Sequence, residues 1–330
     1  MYSYTVPSIQ RYGNPFCPQQ ADPAPTLKRC TRCRKTAYCS QGCQSASWAR
    51  HKIICKRPNY IIKFHLHPEQ ITKPPVIRTL SCPADADFYQ LHASLQIAFG
   101  WAAIHSFDFA VVNPSYSPPT DMMQIIQHHR MLAMNGGKNP ASTTPEYLFR
   151  ITDPVARTQF TGIDRMHEGG RRHPQTQEKK ADEYKLYQLL DNIKWEGKKI
   201  VYTYDFGDNW EHFLTVEGRS DATGESEVLS GTGHYVAEDV GSFTGWEELK
   251  AAYRARSPTS EQKERRSWFE KMAANCDPRG LTGNRVSLFE NRDEINWNMR
   301  SDHIEDYLEK HRLQHAGRSS ARLNWLTGRR

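Results

Sequence analysis

The chain has 330 residues and a formal net charge of +7; 38% of its residues are hydrophobic, 11% are aromatic, and 8 are tryptophan. That aromatic content excludes a wholly disordered chain, and the length suits one large domain plus a small one, or two of ordinary size. Charge is uneven, at +9 over residues 1–60 and +5 over 311–330, which leaves −7 between them. Basic ends suit acidic partners, and the acidic middle argues against nucleic acid lying across it. Six of the eight cysteines fall within residues 17–55. No basic segment followed by an apolar run opens the chain, and no apolar stretch approaches the roughly 20 residues of a membrane helix. The expectation is an intracellular protein, cytoplasmic or nuclear, neither secreted nor in a membrane. In a reducing compartment, clustered cysteines serve metal binding rather than disulfides.

In chain order, residues 1–16 show no periodicity and read as an N-terminal tail, with a cysteine-rich finger at 17–56. Tyr60–Leu66 and Val76–Leu80 read as strands joined through Pro74-Pro75. A helix starts at Pro83–Asp87, keeps Phe88, Leu91, Leu95 and Phe99 on one face, and stops at Gly100. His105–Val112 alternates as a strand. Met122–Met134 suits a helix and Glu146–Ile151 a strand, while the polar run Glu168–Lys180 reads as an exposed loop. Ala181–Leu190 reads as a short helix. Lys199–Asp205 and His212–Glu217 form a hairpin around Gly207-Asp208-Asn209. Helices are expected at Trp246–Ala255, Glu261–Ala274 and Ile304–Gln314, ahead of a basic tail. No repeat or heptad pattern is present.

Zinc takes four thiolate or imidazole ligands in a tetrahedron. The pairs Cys30/Cys33, Cys39/Cys43 and His51/Cys55 have ligand spacing, the last two placing both members on one helical face. Six ligands exceed the needs of one ion, and Cys17 is a seventh. The run Leu27–Cys55, with Tyr38-Cys39-Ser40, Gln44, Trp48 and His51-Lys52 in place, resembles a MYND finger. The resemblance implies two interleaved zinc ions. Cys30, Cys33, His51 and Cys55 would hold one; Cys17, Cys39 and Cys43 would hold the other, with Gln20 where a fourth cysteine belongs. An amide is a poor zinc ligand, so that second site is expected to be weakened. The resemblance also implies a structural role for the metal and a module that binds short proline-containing segments of a partner protein. Trp48 is expected as an interior prop. Lys28, Arg29, Arg32, Arg34, Lys35, Arg50 and Lys52 make the finger cationic.

Three further segments resemble the plasmid pRiA4b ORF-3-like family: Tyr60–Phe109, Tyr202–Glu217 with its Tyr-Asp-Phe-Gly-Asp-x-Trp-x-His run, and Gly233–Leu249 with Glu238-Asp239-Val240-Gly241. This resemblance implies an α+β fold, with a mixed, largely antiparallel sheet and packed helices over about residues 60–300. An insertion is expected around 113–180, and a helix with a basic tail at 301–330. Asp205, Asp208, Glu211, His212, Glu238 and Asp239 are dense acidic and imidazole groups, and His105 lies in a segment able to approach them. Such a set suits Mg²⁺ or Mn²⁺ and phosphoester hydrolysis, but Gly207-Asp208-Asn209 is also ordinary turn chemistry. The leading expectation is a zinc-binding adaptor without catalysis. A divalent-metal hydrolase using Asp205, Asp208, His212, Glu238 and Asp239 is the alternative. A nucleic-acid-associated protein of mobile-element origin is a third.

Overall fold

The computed structural model describes residues 11–14, 27–67, 73–154 and 168–310. Strands β1 (Arg11–Tyr12), β2 (Lys28–Arg29) and β3 (Thr36–Tyr38) form a small sheet in the order β1-β3-β2, ahead of helix α1 (Gln41–Ile54). β1 pairs in parallel with Thr36 and Ala37; a two-residue strand is too short to show alternation in sequence. Ser40 caps α1, its hydroxyl accepting the Cys43 N–H at 3.1 Å, which satisfies one orphan donor of the first turn. Among the described residues the buried hydrophobic cluster of this unit is Cys30, Cys33, Tyr38 and Cys55, with Cys43 packed against it, too little apolar material to hold a fold by itself. Arg57 and Arg32 tie it to Asp85 at 2.7 and 3.3 Å, and Lys35 to Asp221 at 2.7 Å.

The rest of the described chain is built on one eight-stranded sheet. Its strands are β4 (Asn59–His67), β5 (Ile77–Cys82), β6 (Phe107–Val112), β7 (Tyr147–Thr152), β8 (Gln177–Lys180), β9 (Ile200–Tyr204), β10 (Trp210–Ser220) and β11 (Glu227–Thr232). They lie in the order β11-β5-β4-β10-β9-β6-β7-β8. Only the β7–β8 pair is parallel, so the sheet is mixed and mainly antiparallel, as the α+β expectation required. β4 alternates, burying Ile62, Phe64 and Leu66, whereas all five residues of β9 are buried. That contrast separates a strand with one wetter side from a central strand covered on both faces.

Helix α2 (Phe88–Phe99) covers one face. Asp87 caps it by accepting the Gln90 N–H at 2.9 Å while Gln90 returns to the Asp87 N–H at 3.0 Å. Gly100 ends it at φ 68°, a left-handed conformation that glycine enters without steric cost. Two polar side chains of α2 reach into the core, His92 Nδ1 and Gln96 Nε2 lying 2.9 and 2.8 Å from the Tyr202 hydroxyl. Helix α3 (Met122–Met134) spans the residues expected and buries none of them. Ala181–Leu190 divides into a 3-10 turn, Ala181–Glu183, and α4 (Leu186–Leu190). Helices α5 (Ser242–Arg254), α6 (Ser260–Lys271) and α7 (Arg292–Asn298) follow, and residues 304–310 are helical.

Glu168–Lys180 is not the exposed loop expected from its polarity. Residues 168–171 are helical, and Gln177–Lys180 form β8 against β7. Charge supplies the order that apolar residues do not. Arg171 donates to Asp108 Oδ1 and Oδ2 at 2.9 and 3.0 Å, and Arg150 donates twice to Oδ2 at 2.9 and 2.7 Å. Arg150 also reaches Glu178 on β8 at 2.6 Å. Arg150 and Asp108 are fully buried, and hydrophobic periodicity cannot register a segment held by such pairs.

Candidate metal centres

The first centre is assembled from a turn and a helix. Arg34 at φ 56° closes a tight turn in which its N–H donates to Cys30 O at 2.9 Å, so Cys30 and Cys33 point to one side. α1 delivers His51, and its last turn delivers Cys55. Cys30 Sγ lies 3.6 Å from Cys55 Sγ, and Cys33 Sγ lies 3.6 Å from His51 Nε2. All four ligand atoms fall within 4.8 Å of one another, and all four residues are buried. A tetrahedral zinc with bonds of about 2.0–2.3 Å spaces its ligand atoms roughly 3.5–3.8 Å apart. The donor set and its edges fit that ion.

Cys39 and Cys43 sit half-buried at the start of α1. No third candidate ligand gathers with them among the described residues, and Cys17 and Gln20 lie outside those residues. Trp48 is not the interior prop expected. It is 40% exposed, with its ring edge-on to His51 at 5.9 Å, because the ligands themselves occupy the small interior.

The second cluster lies at one end of the large sheet, where three distant stretches meet. His105 precedes β6, Asp205 follows β9, and Asp239 precedes α5. His105 Nε2 is 3.1 Å from Asp239 Oδ1 and 3.7 Å from Asp205 Oδ2, and the three ligand atoms lie within 4.8 Å of one another. Both aspartates adopt left-handed backbone, at φ 55° and 58°, which Asp and Asn tolerate better than other side-chain-bearing residues. Asp205 Oδ1 accepts the Gly207 and Asp208 N–H groups at 2.8 and 3.3 Å. Behind them Glu238 is fully buried, accepting from the Tyr204 hydroxyl and, at 2.6 Å, from the Ala102 N–H. Burial alone would lower the His105 pKa, but the hydrogen bond to Asp239 and the charges of Asp205 and Glu238 outweigh it and hold the group up at about 9. Burial pushes the Glu238 carboxyl up to about 7 and raises Asp205 as well.

The other expected members do not join this cluster as ligands. Asp208 accepts the Gly241 N–H at 3.2 Å, tying the β9–β10 loop to the stretch before α5. Glu211 and His212 point to opposite faces of β10, since successive strand residues alternate. His212 is fully buried, with its ring 4.5 Å from that of Phe99 and 5.2 Å from that of Tyr202. Tyr204, which anchors Glu238, opens the Tyr-Asp-Phe-Gly-Asp-x-Trp-x-His run, but its neutral hydroxyl did not single it out among the charged candidates.

Burial holds His212 down at about 3, against roughly 6.5 in an unfolded chain. Between those values the unfolded chain binds a proton that the folded one refuses. The stability this group contributes is therefore complete above pH ~6.5 and is lost as pH falls. The expected loss between pH ~6.5 and 5 is about 2 kcal/mol. Urea titrations at pH 5, 6 and 7 should show a shallower decline for His212→Gln than for the unchanged chain. Parallel declines would contradict the assignment.

Two family models match. The MYND finger model covers residues 15–55, and the plasmid pRiA4b ORF-3-like protein model covers 60–281. A MYND finger implies zinc binding. The uncharacterized protein y4hQ of Sinorhizobium fredii is 24% identical over 179 residues, covering 54% of this chain and 65% of that protein. SET domain-containing protein 14 of Caenorhabditis elegans is 49% identical over 41 residues, or 12% of this chain and 10% of the relative. Tudor domain-containing protein 1 of Danio rerio is 57% identical over 28 residues, or 8% of this chain and 2% of the relative. The chain thus spans less than two thirds of the length of each of these relatives. The crystal structure of a protein of unknown function from Methanosarcina mazei Go1 aligns at 19% identity with a TM-score of 0.44, covering 71% of this chain and 96% of that one. Among the described residues no helix is long and apolar enough to cross a membrane. With the family match running over 60–281, more than half its length, the chain belongs to the plasmid pRiA4b ORF-3-like protein family and carries a MYND finger ahead of the family domain.

Proposed function

We propose that this chain is a zinc-dependent interaction protein whose finger docks a short proline-containing segment of a partner protein. In this reading Cys30, Cys33, His51 and Cys55 hold one structural zinc ion, and Cys17, Cys39 and Cys43 hold a second, weakened by Gln20. The carrying observation is the surface of α1. Trp48, Ile53 and Ile54 stand 40%, 75% and 61% exposed on the same helix that delivers the buried His51. Large apolar side chains left in water on a rigid element suit docking, and the exposed Trp48 ring on the same helix is the kind of aromatic surface that receives a proline-rich strand. Arg50 and Lys52 on the same helix favour acidic residues in the partner.

The test uses the full zinc-loaded chain against a displayed library of proline-containing peptides, with hits titrated by calorimetry. The double variant Ile53→Ser/Ile54→Ser should bind such hits at least about tenfold more weakly while retaining its zinc. Unchanged affinity, or no hits with the unaltered chain, would refute α1 as the docking face.

A further inference from the structure

We infer that His105, Asp205 and Asp239 form a site for one divalent transition cation, of the class of Mn²⁺, Fe²⁺ or Zn²⁺, separate from the finger. Geometry is the first support. The edges of 3.1 and 3.7 Å from His105 Nε2 to the two carboxylates approach the ~3 Å between adjacent ligands of an octahedral ion with bonds near 2.1 Å.

An independent support is a carboxylate oxygen without a donor. The Asp205 side chain is only 6% exposed. Its Oδ1 is held by two backbone N–H groups, but Oδ2 has no hydrogen bond among the described residues. The nearest charged donor there, His105 Nε2 at 3.7 Å, is beyond hydrogen-bond range. That oxygen faces the imidazole edge, and a cation between it, Asp239 and the imidazole would take it as a direct ligand.

The surroundings are those of a ligand set with outer support. The two N–H groups orient Asp205 by its other oxygen. Glu238, fully buried beside the cluster, is fixed by Tyr204 and Ala102. Outer partners of this kind orient metal ligands. His105 and Asp239 retain 19% and 38% exposure, so three protein ligands on one side leave further coordination positions facing solvent. The imidazole selects the class of ion, because Mg²⁺ and Ca²⁺ prefer all-oxygen ligation whereas transition cations accept nitrogen.

The test titrates Mn²⁺ into the full chain, already loaded with zinc, and follows free Mn²⁺ by electron paramagnetic resonance. One saturable site per chain is expected. Asp239→Asn and Asp205→Asn, each suited to the left-handed backbone at its position, should weaken it tenfold or more while the circular dichroism spectrum and zinc content stay unchanged. Glu264→Gln, beside Asp239 on the same surface, should bind as the unaltered chain does. Absence of saturable Mn²⁺ binding would overturn the inference and leave an imidazole–carboxylate pair. Binding that persists in both asparagine variants would overturn it too, by placing the ion elsewhere.

Discussion

Stripping zinc from the purified chain with a strong chelator should unfold residues 27–55 and leave the eight-stranded sheet standing. Among the described residues the buried hydrophobic cluster of the finger is three cysteines and Tyr38, whereas the sheet has its own large core, including Trp101, Trp210, Trp246, Tyr202 and Phe99. Structural zinc in such units contributes roughly 10–16 kcal/mol of apparent binding energy, which is folding energy for the unit, and the small described core of the finger does not replace it. Amide NMR spectra should lose the dispersed signals of α1 and β3, while signals from β9 and β10 remain. Shifts in the sheet-bearing part should concentrate around Asp85 and Asp221, where the finger is salt-bridged. Elemental mass spectrometry sharpens the same prediction. Two zinc ions per chain are expected, one lost in Cys55→Ser and one in Cys39→Ser. A single ion that survives Cys39→Ser would leave Cys17, Cys39 and Cys43 without metal. A chelated chain with an intact finger spectrum would refute the structural role altogether.

Replacing Asp108 by alanine should cost about 3–5 kcal/mol, the range for removing one partner of a buried ion pair. Asp108 is the shared counter-charge of Arg150 and Arg171, and neither Asp108 nor Arg150 exposes any side-chain surface. Without the carboxylate two guanidinium groups face each other in a largely buried site, Arg171 keeping 11% exposure. Arg150 would keep Glu178, while Arg171 would keep, among the described residues, Thr203 at 3.0 Å, the faces of Phe206 and Tyr147 and the more distant charges of Glu146 and Glu211. The damage should therefore extend to the helical residues 168–171 and to β8, seen as faster hydrogen exchange there than in β9. Calorimetric unfolding of Asp108→Ala against the unaltered chain measures the cost. A loss below about 1 kcal/mol would mean that desolvation already cancels the attraction within the network.

These expectations show where reading residues in order works. The ligand pairs at 30/33 and 51/55 are set by one turn and one helical step, so their spacing already implied that each pair shares a side. Gly100 as a helix stop, the buried alternation of β4, and the antiparallel pairing around Gly207-Asp208-Asn209 are likewise decided within a few residues. Each depends on backbone geometry that a short segment carries wherever it sits.

The remainder depended on contacts between distant segments. Glu168–Lys180 looked like a solvated loop because its order comes from Asp108 and Arg150, on strands far earlier in the chain. His212 sits beside an acidic run in sequence but turns into the core, since β10 alternates, placing Glu211 on the other face, and Asp205 and Asp208 belong to the loop before it. His105, by contrast, stands 134 residues from Asp239, and only the sheet order and the loops at its end bring the two together with Asp205. By itself the sequence determined that Cys30 sits with Cys33 and His51 with Cys55, and it determined most of the elements, because their causes are local; the α+β class followed from the resemblance to the pRiA4b ORF-3-like family. Tertiary structure alone decided which charged groups are buried together, because that depends on segments whose separation in the chain carries no information about their distance in space.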